Sequence, residues 1–423
     1  MSPEPYTSET LSALKKILRP SVSGSAIFKE VVFSETIELF DRLALTEGLE
    51  VQGTVVDIAR NLCLTHPSAK DDDEASDHLS DDVEQLFELT RIIVLVLASL
   101  LPNLAEHVTA SRPPLQDESV SLVRNALEAL VDASAIFPSI IKADLHASIL
   151  HIFATILGTG ICQALVVPQA LPIMRRFLQS IVPDSPSSVI TAQLIGCLQR
   201  FLAILSNAQK RESEASIPCA KNTLLALTIL LTTASRALPP NEPLLTQALE
   251  AMIDCLQDLG LAKVGANCLR SLLLVIPKTA TDETIARCVF PRLLLFVTDP
   301  SQADAENLRS IVAHTLTSFT TTLSSDFSRM AAAMSVVIPM LLTRAAAEGE
   351  TLFAETATRL LELASAEQNA FRGVVAKMSV EQRGFMEKVL REGNQGVGGD
   401  AEREGLEERE EPSIALKLNF GGA

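Results

Sequence analysis

The chain has 423 residues, of which 47% are apolar, with no Trp, one Tyr and a formal net charge of −17. A core made of Leu, Ala, Ile and Val and nearly free of aromatic residues points to an all-α protein, because sheets favour β-branched and aromatic side chains. The acidity argues against nucleic acid or an anionic membrane as the main target, since both demand clustered Lys and Arg.

Most of the charge is localised. Residues 68–84 carry eight acids and one base, and residues 400–411 carry seven acids and two bases, so these two runs supply −12 of the −17. Runs of this composition bury nothing against a core and read as a disordered loop (about 68–79) and a flexible acidic linker (393–411).

In chain order, MSPEPYTSET lacks a basic stretch followed by an apolar run, so no secretory signal is expected. After a helix at 8–18, SETIELFDRLALTEG offers Ser34 as a helix N-cap and Gly48 as its stop, predicting a helix over 34–47. LEVQGTVVDIARNLCLTHP follows with the stripe Val51, Val55, Ile58 and Leu62, which completes a helical hairpin. The same pattern predicts helices near 80–101, 117–136, 139–158, 168–182, 187–210, 218–237, 243–259, 261–276, 282–297, 303–324, 326–347, 350–365, 366–377 and 379–392. Ser379 and Gln382 form a capping-box pair at the start of the last one.

Some pairs repeat more than their period. Pro291 in a first helix, Asp299 at the turn and Arg309 in a second are matched by Pro339 and Arg359, with Pro172 and Pro102 as worn copies. The spacing of Pro291 and Pro339 is close to the ~40–47-residue period of HEAT and armadillo arrays. A single hairpin cannot bury both its apolar faces, so such pairs must stack. The expected fold is therefore an α-solenoid of HEAT-like antiparallel helix pairs over 1–392, with the acidic loop and a C-terminal tail.

No catalytic constellation is legible. The seven cysteines form no C-x-x-C pair and sit in apolar helical stretches, reading as small buried hydrophobes in a reducing compartment. His146 and His151 are five apart, which does not align them as metal ligands on one helical face, and DLHASILHIF reads as a helix with polar positions. GNQGVGGD (393–400) lacks the flanking strand and helix of a phosphate loop, and DDDEASDHLSDD lacks the spacing of a calcium loop. The apolar run 92–102 is about half the ~20 residues that span a bilayer. The sequence thus predicts a soluble, intracellular non-enzyme with no cofactor, metal, nucleic-acid or small-molecule substrate site and no direct membrane insertion.

The chain closes differently. In residues 412–423 (PSIALKLNFGGA), Ile414, Leu416, Leu418 and Phe420 occupy alternate positions, which line one face of an extended strand. A lone strand is unstable in water, so the segment either stays disordered or docks, and these four residues form a candidate docking segment for a groove in the same solenoid or on a partner.

Three stretches carry a family resemblance: FKEVVFSETIELFDRLALTEGLEVQGTVVDIARNLCLTHP (28–67), the helix pairs through 139–210, and the ending SVEQRGFMEKVLREG…PSIALKLNFGG. Together they resemble the C-terminal part of the large HEAT-repeat accessory protein of the clathrin adaptor, a family of fungal Laa-type proteins and the animal HEAT-repeat-containing protein five. Members are several times longer than this chain. The resemblance implies a scaffold that works with clathrin adaptor subunits or accessory proteins. Its place would be peripheral, on trans-Golgi and endosomal membranes, where it would help localise the type-one adaptor complex. The alternatives from the residues alone are an importin-type transport receptor, also an acidic HEAT array, and a regulatory scaffold for a phosphatase or kinase.

Overall fold

The computed structural model describes residues 48–64, 79–110, 113–136, 143–160, 162–182, 187–210, 216–258, 260–275, 279–299 and 306–395. Among these are sixteen α-helices and no strand, so the protein is all-α as its composition predicts. The expected helices at 8–18 and 34–47, the acidic loop up to residue 78 and the tail beyond 395 lie outside the described residues.

Ten helices lead the chain: α1 (Leu49–Leu64), α2 (Leu79–Ala110), α3 (Pro113–Ile136), α4 (Ala143–Gly158), the single turn α5 (Cys162–Leu165), α6 (Val167–Ile181), α7 (Ser188–Lys210), α8 (Ser216–Ala234), α9 (Pro243–Asp254) and α10 (Ala262–Leu273). Their packing follows a simple rule. Helices α1, α3, α6, α8 and α10 pack in succession as one layer, while α2, α4, α7 and α9 pack in succession as a second. Pairs such as α1 with α2, α7 with α8 and α9 with α10 join the layers. This is the continuous two-layer core of an α-solenoid, in which each repeat covers its neighbour's apolar face.

The sequence shows why each helix takes its place. Along α6, Val167, Ala170, Leu171, Met174, Phe177, Leu178 and Ile181 recur at helical spacing and are buried, while Arg175, Arg176 and Gln179 face outward. The inner face meets α4, where Phe153 lies 6.2 Å from Phe177, ring centre to ring centre. Helix α9 starts on Pro243 at a position that needs no N–H, with the Glu242 carboxylate accepting from the Leu244 amide at 3.3 Å. Pro102 does not end its helix. It lies inside α2, exposed, as Pro172, Pro291 and Pro339 lie inside theirs.

Helices α11 (Ala280–Thr298) and α12 (Glu306–Thr322) follow, then α13 (Phe327–Glu348), α14 (Phe353–Ala366), α15 (Gln368–Lys377) and α16 (Val380–Gln395). The chain divides into two compact units, Met1–Phe296 with Ser301–Thr315 and Val297–Pro300 with Leu316–Ala423. In the second unit α13 packs on α14 and α15, and α14 packs on α15 and α16. Phe353, Ala357, Val389 and Ala345 form its core, with Phe385 edge-on to Phe353 at 5.9 Å.

The helix ends of this unit are chemically defined. Asp326 caps α13 by accepting from the Arg329 amide at 3.1 Å. Gly349, at φ 81°, closes the same helix in the left-handed region that glycine adopts without a Cβ clash, and its amide bonds the Ala345 carbonyl at 3.0 Å. The capping box forms reciprocally: the Ser379 hydroxyl accepts from the Gln382 amide and the Gln382 side chain accepts from the Ser379 amide, both at 3.1 Å. One boundary moves. Helix α16 runs to Gln395, so Gly393 is not the first linker residue but a buried contact. A Cβ there would lie 2.6 Å from the Phe353 carbonyl oxygen and 2.7 Å from the Ala357 Cβ, so the close approach of α16 to α14 requires glycine.

Among the described residues three helical segments, Ser188–Lys210, Ser216–Ala237 and Phe327–Glu348, are long and apolar enough to cross a membrane by length and composition. The 92–102 run is therefore not the longest apolar stretch that matters. All three pack within the two units, and each carries polar or charged side chains on its outer face, such as Gln199 and Arg200 on α7.

Candidate protein-interaction surface

The docking segment read from the sequence, Ile414, Leu416, Leu418 and Phe420, lies outside the described residues. What the structure adds is a groove in the second unit, about 490 Å³ in volume, between α13 and α15. One wall is a stripe of α13. Phe327, Ala331, Ser335 and Pro339 follow at four-residue intervals, which places them on one helical face. Phe327 stands 57% exposed at the mouth. Proline has no N–H, so Pro339 withholds from the Ser335 carbonyl the donor that a helix normally supplies.

The opposite wall comes from α15, where Gly373 has open space in the direction a Cβ would take. Val374 and the buried Met378 give it apolar substance, and Lys377 is the one charged side chain in the lining. Phe327 stands at the mouth, and small side chains (Ala331, Ala332, Ser335, Gly373) line the slot behind it. Val336 on α13 and Val380 at the start of α16, 77% exposed, extend apolar surface in the same unit. Periodicity could not find this groove, because Ala and Ser at helical spacing read equally well as core. The one signal was a large aromatic beside a run of small residues in FSRMAAAMSVVIPM.

The polar groups inside the helices hold structure together. In the first unit, Gln163 donates from Nε2 to the Leu157 carbonyl at 2.6 Å, and Asn222 donates from Nδ2 to the Gln163 side-chain oxygen at 2.9 Å and its carbonyl at 3.1 Å. This chain of bonds ties the end of α4 to α5 and α8. In the second unit the Arg344 side chain is 3% exposed and lies between Glu348 (3.3 Å) and Glu355 (3.6 Å), which joins α13 to α14.

Burial sets the titration of the buried cysteines and of His146. Burial pushes the thiols of Cys63, Cys197 and Cys255 up to about 12 and that of Cys162 up to about 11, away from the thiolate a nucleophile needs. Five of the seven cysteines are buried and all seven are free, as the apolar reading of their surroundings expects. His146 lies on α4, in the helix its sequence suggests. It is buried against the Phe177 ring at 6.1 Å without a hydrogen-bond partner, and burial lowers it from 6.5 to about 4. His151 faces solvent, 2.8 Å from Arg200 Nη1. Among the described residues no three His, Cys, Asp or Glu side chains group as metal ligands.

Comparison with known proteins agrees with the resemblance read from the sequence. Residues 241–403 match the family model described as LAA1-like, C-terminal TPR repeats. Over 389 residues, 90% of its length, the chain is 19% identical to the AP-1 accessory protein LAA1 of Saccharomyces cerevisiae. It spans 18% of that relative's length. Among solved structures, a circular tandem repeat protein is 14% identical at a TM-score of 0.38, covering 92% of this chain and 91% of its own. An engineered protein is 16% identical at 0.28, with 92% and 94% covered.

Proposed function

We propose that this chain, similar to LAA1-like accessory proteins, is a non-enzymatic helical-repeat scaffold of clathrin-adaptor traffic. In this reading it helps localise the type-one adaptor complex for transport between trans-Golgi, endosomes and plasma membrane. It sits peripherally on those membranes and is held there by protein partners. The observation that carries the reading is the LAA1-like match over residues 241–403, which falls on α9–α16 and includes the groove of the second unit.

The physical features support a binding role. A repeat array devotes its apolar surface to stacking and keeps its outer faces for partners. A slot with an exposed aromatic at its mouth is a natural anchor site for an apolar segment.

Depletion of the protein, with the type-one adaptor followed by fluorescence, tests the reading. Loss of adaptor from Golgi and endosomal puncta is the expected result. Unchanged adaptor puncta, together with impaired nuclear import, would replace it with the transport-receptor reading.

A further inference from the structure

We propose that residues 414–420 dock, extended, into the α13–α15 groove of their own chain, so that the tail is an internal plug of the second unit. The inference is independent of the adaptor reading and rests on length, shape, reach and charge.

The lengths agree. From Phe327 to Pro339 the α13 wall is about 18 Å long at 1.5 Å per residue. From Ile414 to Phe420 an extended chain covers about 20 Å. Four large apolar side chains on one edge thus meet a slot of equal length whose walls are built from small ones, with Gly373 leaving room where a Cβ would stand.

The reach also agrees. Gln382, at one end of the groove, lies about 20 Å back along α16 from Gln395. The nineteen residues from Gln395 to Ile414, Gly-rich and then charged, span about 25 Å on average as a flexible chain. A tether of that kind holds its segment at an effective concentration of about a millimolar. Charge favours the same placement, because the acids of 400–411 arrive beside Lys377, the one charged group of the lining.

Hydrogen exchange on the full chain at low micromolar concentration tests the proposal. If the free segment binds with a Kd of about 0.1 mM, the tether protects the groove roughly tenfold. Segments 327–339 and 370–378 should therefore exchange about tenfold faster in the L416D/L418D double variant. Adding about 1 mM of a free peptide of residues 412–423 to that variant should restore the protection. Ser335→Trp, which fills the slot from its wall, should speed exchange of residues 414–420 while leaving the helical circular dichroism unchanged. Equal exchange in the wild type and the double variant would overturn the proposal. So would protection that vanishes on dilution, which would assign the groove to the tail of a second copy, or protection at a different set of helices.

Discussion

Helices α8 and α13 are alike in composition and unlike in surroundings. Both are long, apolar and rich in Leu and Ala, and each could cross a membrane by those measures. In the first unit α8 is enclosed by α6, α7 and α10, and its residues Ala226–Leu231 are buried without a break. In the second unit α13 is covered by α14 and α15 along one side, while the stripe from Phe327 to Pro339 lines an open groove. Composition decides that both are helices, and the number of neighbours decides whether an apolar face becomes core or binding surface.

The sharpest way to break this contrast is to place a charge on each helix. Leu227→Asp in α8 buries an unpaired carboxylate and should cost about 4 kcal/mol or more. Phe327→Asp at the groove mouth should cost no more than about 1.5 kcal/mol, the loss of a tenfold tail contact. Denaturant unfolding followed by circular dichroism measures both, and equal losses would mean the groove face is core.

The next effect is at Arg344, the buried ion-pair centre of the second unit. Arg344→Ala leaves Glu348 and Glu355 facing an empty site and should cost about 3 kcal/mol, whereas Arg344→Met, which keeps the packing, should cost clearly less. Thermal unfolding of the two variants side by side separates charge from volume.

His146 gives a pH-dependent contrast. It is neutral in the folded chain down to about pH 4 but gains a proton near 6.5 once unfolded. Between those values the unfolded state binds more protons, so its contribution to stability is full above pH 6.5 and is lost as the pH falls toward 4. The loss amounts to as much as roughly 3 kcal/mol, and His146→Phe should flatten that part of the stability profile. A profile that keeps its slope in the variant would place the proton elsewhere.

The smallest effect is local. Ser379→Ala removes half of the capping box and should cost about 1 kcal/mol, seen as faster amide exchange in the first turn of α16.

These elements also show what was legible. The helices, the Ser379–Gln382 box and the buried cysteines were readable, because periodicity, capping chemistry and apolar context are local properties. The burial of His146 was not legible, because it comes from Phe177, thirty-one residues away on another helix. Gly393 was taken for linker because only the approach of α14 gives that glycine a reason. The groove escaped for the same cause: whether Ala331 and Ser335 face core or solvent depends on which helix packs beside them. The segment at 414–420 is the reverse case, plain in its alternation but outside the described residues.

Proximity labelling with the full chain tests the central claim, that this is an adaptor-associated scaffold, most directly. The account predicts that subunits of the type-one clathrin adaptor are among the most enriched proteins. Their absence, with Ran or carriers of basic localisation peptides enriched in their place, would contradict it.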